Sequence, residues 1–208
     1  MIAHTGDLID FVSQANFDAA RNFCKRVDCF MAAGNHEFCQ FVGDGAKEDA
    51  EYRNKSLADV QACFDNDIRF SCREVGGISL VALDNSYYLI EQEQLDALKE
   101  VCERGKPVFL FMHTPLYTEG LYKSSLKYGP VIHAMSVPEE ILATYPADRY
   151  EQQKQDDVTA RAFEFIKGCE NIKGIFVGHK HYDYEDVIGN STPQMMIGCN
   201  TLREITVI

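Results

Sequence analysis

Features that would place a chain in a membrane, in a metal knuckle or on a nucleic acid are scarce in this sequence. Its 208 residues contain no uninterrupted apolar run of about 18, so no segment reads as a membrane span. The opening Met1-Ile2-Ala3-His4-Thr5-Gly6 lacks the basic region and long apolar stretch of a signal peptide. No two of the eight cysteines stand as Cys-x-x-Cys, so nothing indicates a zinc knuckle or a thioredoxin motif. Basic residues are few against acidic ones, 20 Lys and Arg against 32 Asp and Glu, for a net charge of −12. That field repels a polyphosphate backbone and argues against a nucleic-acid partner. A small phosphate ester stays compatible with it if a bound metal supplies local positive charge. Internal repeats and low-complexity segments are also lacking. The expectation is one domain over residues 1–208, cytoplasmic, with reduced and mostly buried thiols.

Short apolar runs alternate with helical patterns. Phe17, Ala20, Cys24 and Val27 share one helical face, followed by the apolar run Cys29–Ala33. Leu57, Val60 and Phe64 mark a second helix. Ile68–Val75 and Ile78–Leu83 read as strands joined at Gly76-Gly77. Leu95, Leu98 and Cys102 predict a third helix ended by Gly105, and Val158, Ala162, Phe165 and Cys169 a fourth. Val108–Met112 and Ile175–Val177 read as buried strands, and the tail from Tyr184 to Ile208 as short β-like runs. The pattern is α/β with antiparallel pieces at the end. Residues 114–156 carry four of the six prolines and no long periodic helix. They read as a long loop or lid over a site.

Four polar clusters follow apolar runs: Gly6-Asp7-Leu8-Ile9-Asp10, Gly34-Asn35-His36-Glu37, His113-Thr114-Pro115 and Gly178-His179-Lys180-His181. Ligands in open α/β sheets bind beyond the carboxyl ends of strands. Asp, Asn and His delivered there from several strands suit a divalent metal. Singly, each cluster is commonplace; their order along one chain is the signal. The remaining histidines have plainer readings. His4 is packed in a strand, and His133 either reaches substrate or faces solvent. Tyr117, Tyr122 and Tyr128 line a pocket or stiffen the long segment.

The series Gly-Asp-x-x-Asp, Gly-Asn-His-Glu, His, Gly-His-x-His resembles the calcineurin-like metallophosphoesterase superfamily. Leu83-Asp84-Asn85-Ser86 with Glu93–Lys99 also looks like the subgroup of purple acid phosphatases and class III cyclic-nucleotide phosphodiesterases. The resemblance implies a four-layer αββα sandwich. It also implies metal-dependent hydrolysis of a small-molecule phosphate mono- or diester by hydroxide activated on a pair of Mn, Fe or Zn ions. In that scheme Asp7 bridges two metals, and Asn35, His113 and His179 complete one position. His181 belongs to the other, and His36, held by Asp10, protonates or orients the leaving oxygen. Asp10 is followed by Phe11-Val12, unlike the Gly-Asp-x-x-Asp-Arg-Gly of the family's protein phosphatases. The family also begins with a strand ending in Asp-x-His, and no such motif precedes residue 7 here. The chain therefore reads as an N-terminally truncated member, its missing strand exposing hydrogen-bonding edges or leaving a gap in the sheet. The expectation that follows is one tightly bound metal per chain rather than two. The alternative reading is a degraded or truncated phosphoesterase that binds metal or a partner without efficient catalysis; oligomeric state is left open.

Overall fold

The computed structural model describes residues 1–40 and 48–206. Two sheets form. In the smaller, β1 (Ile2–His4) pairs in parallel with β2 (Cys29–Met31). The larger has six strands in the order β3-β4-β5-β6-β8-β7: β3 (Phe70–Val75), β4 (Ile78–Leu83), β5 (Val108–Phe111), β6 (Ile172–Val177), β7 (Tyr184–Ile188) and β8 (Thr192–Met196). Its middle, from β4 through β5 and β6 to β8, is parallel, and the outer strands β3 and β7 are antiparallel to their neighbours.

Strand alternation explains the layering, because successive side chains point to opposite faces. In β2 and the residues after it, Phe30 and Ala32 face the large sheet, while Cys29, Met31 and Ala33 face helices. In the large sheet Leu80, Ala82, Phe111 and Phe176 meet Phe30 between the sheets. Val81, Leu83, Leu110, Ile175 and Val177 point the other way into the larger core. The rings between the sheets pack by edge and face, Phe30 on Phe111 at 6.3 Å and Phe111 stacked on Phe176 at 4.9 Å. Helices α1 (Gln14–Cys24) and α2 (Ala50–Gln61) cover the small sheet, and α3 (Gln92–Glu103) covers the large one. The result is the four-layer αββα arrangement, and among the described residues no helix is long and apolar enough to cross a membrane.

Local chemistry sets the element ends. Ser13 and Asp49 cap α1 and α2 through their side chains, and Glu91 and Gln94 form a reciprocal capping box on α3. Gly76 and Gly77, at φ 57° and 85°, make the β3–β4 turn, whose two left-handed positions glycine accepts without strain. Val27 and Phe64, read as helical from their spacing, lie beyond the ends of α1 and α2 yet still pack in the same core.

Segment 114–156 differs from a loop. It holds α4 (Glu119–Ser125), α5 (Glu139–Leu142) and α6 (Ala147–Gln153), followed by α7 (Asp157–Gly168). Leu116, Leu121, Ile132, Met135 and Leu142 from this segment are buried in the main core. Its prolines are why no long period shows: Pro138 and Pro146 sit at helix starts, where proline is tolerated, and divide the segment into short helices. Val207 and Ile208, the end of the tail read as β-like, lie outside the described residues. All eight cysteines are free; four are buried and Cys199 is exposed.

Candidate metal centre

The four polar clusters sit at the carboxyl ends of β1, β2, β5 and β6, around a cavity of about 610 Å³. Two glycines let the loops meet. A Cβ on Gly34 would lie 2.2 Å from Asp7 Oδ1, and one on Gly6 2.5 Å from His113 Nδ1. Beside β1 a second, apolar cavity of about 490 Å³ opens between the sheets, lined by Ile2, Phe109, Phe111 and Phe176.

Four ligating atoms converge. His113 Nε2 lies 3.0 Å from Asn35 Oδ1, 3.0 Å from His179 Nδ1 and 3.2 Å from Asp7 Oδ2; His179 Nδ1 is 3.1 Å from Asn35 Oδ1. Metal–ligand bonds of about 2.1 Å at right angles set neighbouring donors about 3.0 Å apart. The observed spacing is compatible with a coordination shell, and the donor set of one carboxylate, one amide oxygen and two imidazoles fits a divalent cation.

Each of these side chains has a partner that turns its lone pair inward. His113 Nδ1–H donates to the Thr5 carbonyl at 2.7 Å, leaving Nε2 for the cluster. The Asn35 amide donates to Glu48 at 3.0 Å, which points Oδ1 inward. The His36 backbone N–H holds Asp7 Oδ1 at 3.0 Å, leaving Oδ2 for the cluster. His179 Nε2 lies 3.1 Å from the Tyr88 hydroxyl. Such outer partners fix tautomer and orientation in metal sites. Two further residues brace the frame. Asn85 Oδ1 accepts from the backbone N–H groups of His113 and Thr114 and so fixes where the β5 loop turns. Glu37, fully buried, accepts from the backbone N–H of Asp7 (2.7 Å), Ile9 (3.0 Å) and Gly34 (2.7 Å), tying the first two clusters together.

The electrostatics follow from burial and crowding. Burial and the neighbouring His113 hold His179 well below the ordinary histidine value, so its ring is neutral. Burial opposes charge on His113, but the Asp7 carboxylate beside it prevails and raises it. Burial likewise works against charge on Asp7, and His113 and His36 overcome it, so its pKa is lowered. Glu37 is pushed up to about 7 by burial, then by the charge of Asp7, against the pull of its three backbone donors. A cluster holding one carboxylate among inward-facing lone pairs needs a cation or shared protons at its centre.

The other expected residues are placed as follows. His36 Nδ1 lies 2.8 Å from the Asp10 backbone carbonyl and 3.1 Å from its carboxylate, so the pair meets, with the carbonyl the nearer oxygen. His181 lines the cavity but is exposed and stands outside the ligating cluster. His4 also lines the cavity, with Nδ1 buried and without a hydrogen-bond partner among the described residues; burial lowers its pKa to about 4. His133 neither faces solvent openly nor lines that cavity: it is half-buried against Tyr88, and burial lowers it to about 4. Tyr117 and Tyr122 pack on each other and on the core, and Tyr128, 61% exposed, stacks on Tyr182. Glu48 and Tyr88 went unrecognised in the sequence. No spacing rule links them to the residues they orient, 13 and 91 positions away.

Solved structures with this fold include a phosphopantetheinyl hydrolase from Mycobacterium tuberculosis, at 12% identity and TM-score 0.51. The alignment covers 94% of this chain and 78% of that one. A putative 5'-nucleotidase from Staphylococcus aureus aligns at 12% identity and TM-score 0.48 over 94% of this chain and 39% of that one. No curated protein sequence matches. The family model for calcineurin-like phosphoesterases matches residues 1–183, and the chain belongs to that family.

Proposed function

We propose that this chain hydrolyses a small-molecule phosphate mono- or diester, with a divalent ion held by Asp7, Asn35, His113 and His179. The observation that carries the reading is the convergence of four ligating atoms at 3.0–3.2 Å, each with its own orienting partner. Mn, Fe and Zn all suit the mixed oxygen and nitrogen donors. Such an ion polarises phosphoryl oxygens and makes water a stronger nucleophile at neutral pH.

The protein's own groups do the rest. His36 lines the cavity with Nδ1 engaged by Asp10, and in this reading its ring protonates or orients the leaving oxygen. Asp10 acts through His36, as a positioning residue. Segment 114–156 packs on the core and brings His133 beside Tyr88. His181 stands outside the cluster, and one tightly held ion per chain is the expected loading.

The test is turnover of a bis-aryl phosphate and of an aryl monophosphate in excess manganese, with His113→Ala as control. Manganese-dependent turnover lost in the variant is the expected result. Tight metal binding with no turnover of either ester would favour the second reading, a metal-binding relative without efficient catalysis, for which the exposed His181 speaks. Neither binding nor turnover would contradict both.

A further inference from the structure

Tyr88 joins His179 to a residue that the metal centre does not otherwise use. Its hydroxyl lies 3.1 Å from His179 Nε2 and 3.3 Å from His133 Nδ1, and the two histidine rings stand edge-on with centroids 6.0 Å apart. Tyr88 is 3% exposed, so its hydroxyl must be paired within the protein to be tolerated. All three residues adopt left-handed backbone conformations, at φ 64° for Tyr88, 53° for His133 and 70° for His179. Non-glycine residues keep that geometry only where the surroundings impose it, and such positions gather at functional sites. Three of them meeting through one hydroxyl is a built arrangement.

The direction of each hydrogen bond follows from valence. His179 Nδ1 faces Asn35 Oδ1 and His113 Nε2, so as a ligand it must present a lone pair and carry its proton on Nε2. Nε2–H then donates to the Tyr88 oxygen. The Tyr88 O–H is left to donate to His133 Nδ1, which requires the neutral His133 ring to carry its proton on Nε2. One assignment gives both hydrogen bonds of the Tyr88 hydroxyl a donor and an acceptor.

We infer that Tyr88 is a positioning residue for the metal ligand His179, and that His133 sets the direction of the Tyr88 hydroxyl, tying segment 114–156 to the metal centre. The inference rests on the proposed metal role of His179. Neither Tyr88 nor His133 touches the reacting atoms; they act by fixing which nitrogen of His179 meets the ion.

The test uses the full chain and the metals alone. Manganese affinity is measured by calorimetry, and the cobalt(II) visible spectrum reports ligand geometry, for wild type, Tyr88→Phe, His133→Ala, His133→Gln and the Tyr88→Phe/His133→Ala pair. Tyr88→Phe keeps the ring and should weaken manganese binding by about 10–100-fold and shift the cobalt spectrum. His133→Ala should weaken binding less, and His133→Gln, which restores an acceptor, should bind close to wild type. In the Tyr88→Phe background His133→Ala should add nothing, because its effect passes through the hydroxyl. Wild-type affinity and spectrum in Tyr88→Phe, or fully additive losses in the pair, would overturn the relay and leave the metal centre standing. Failure of the wild-type chain to bind manganese would overturn the metal centre and the relay with it.

Discussion

His113 and His179 are each engaged at both ring nitrogens, one set by a backbone carbonyl and the other by a buried tyrosine, and their remaining nitrogens meet 3.0 Å apart. Across the same cavity, His36 leans on an aspartate whose side chain is 75% exposed, and His181 stands exposed outside the cluster. On one side of the cavity the side chains are buried and held by outer partners, and the other side is solvated. A ligand set needs fixed geometry before its ion arrives, whereas a proton donor to a leaving group must stay within reach of substrate and water. In the proposed function this difference would separate a metal-binding half from a proton-donating half of one site.

Mutations that dismantle the buried half should cost most. Glu37→Ala leaves three buried backbone donors without an acceptor. At about 1–3 kcal/mol for each unsatisfied group, the loss should reach about 3 kcal/mol or more, a shift of roughly 100-fold in the folding equilibrium. Urea unfolding measures it, and an unchanged midpoint would mean that Glu37 does not brace the two clusters. His36→Ala should lower turnover by about 100-fold while metal content stays at the wild-type level. Loss of metal in that variant would make His36 a ligand and erase the distinction between the halves. Glu48→Ala removes the acceptor that orients Asn35 and should weaken manganese binding by about 10-fold, read by titration.

The smallest effect concerns the thiols. Cys29 and Cys39 are pushed up to about 12, chiefly by burial, and stay protonated at neutral pH. A maleimide should label exposed Cys199 first and reach Cys29 and Cys39 only as the chain unfolds. Equal labelling rates would show that the small-sheet core opens readily.

How much of this was legible in the sequence divides along the same line. Ligands delivered from strand ends are readable, since apolar runs announce the strands and the polar residue follows at once, as with Val108–Met112 before His113. The residues that aim them are not. Glu48 precedes a helix, Tyr88 sits in a turn, and Asn85 reads as part of a soft motif; only tertiary contact reveals that each holds a ligand. Glu37 stood inside a recognised cluster without a role, because its three partners are backbone groups. The short helices of segment 114–156 leave no signal for a related reason: started at Pro138 and Pro146, they are held by the core they cover and carry no period of their own.

The most direct test of a metal position built from Asp7, Asn35, His113 and His179 compares manganese affinity in wild type, His113→Ala and His181→Ala, by calorimetry under one set of conditions. The expected result is one tight equivalent in wild type, an affinity lowered by more than about 100-fold in His113→Ala, and near wild-type affinity in His181→Ala. Equal losses in the two variants, or tight binding retained in His113→Ala, would contradict it.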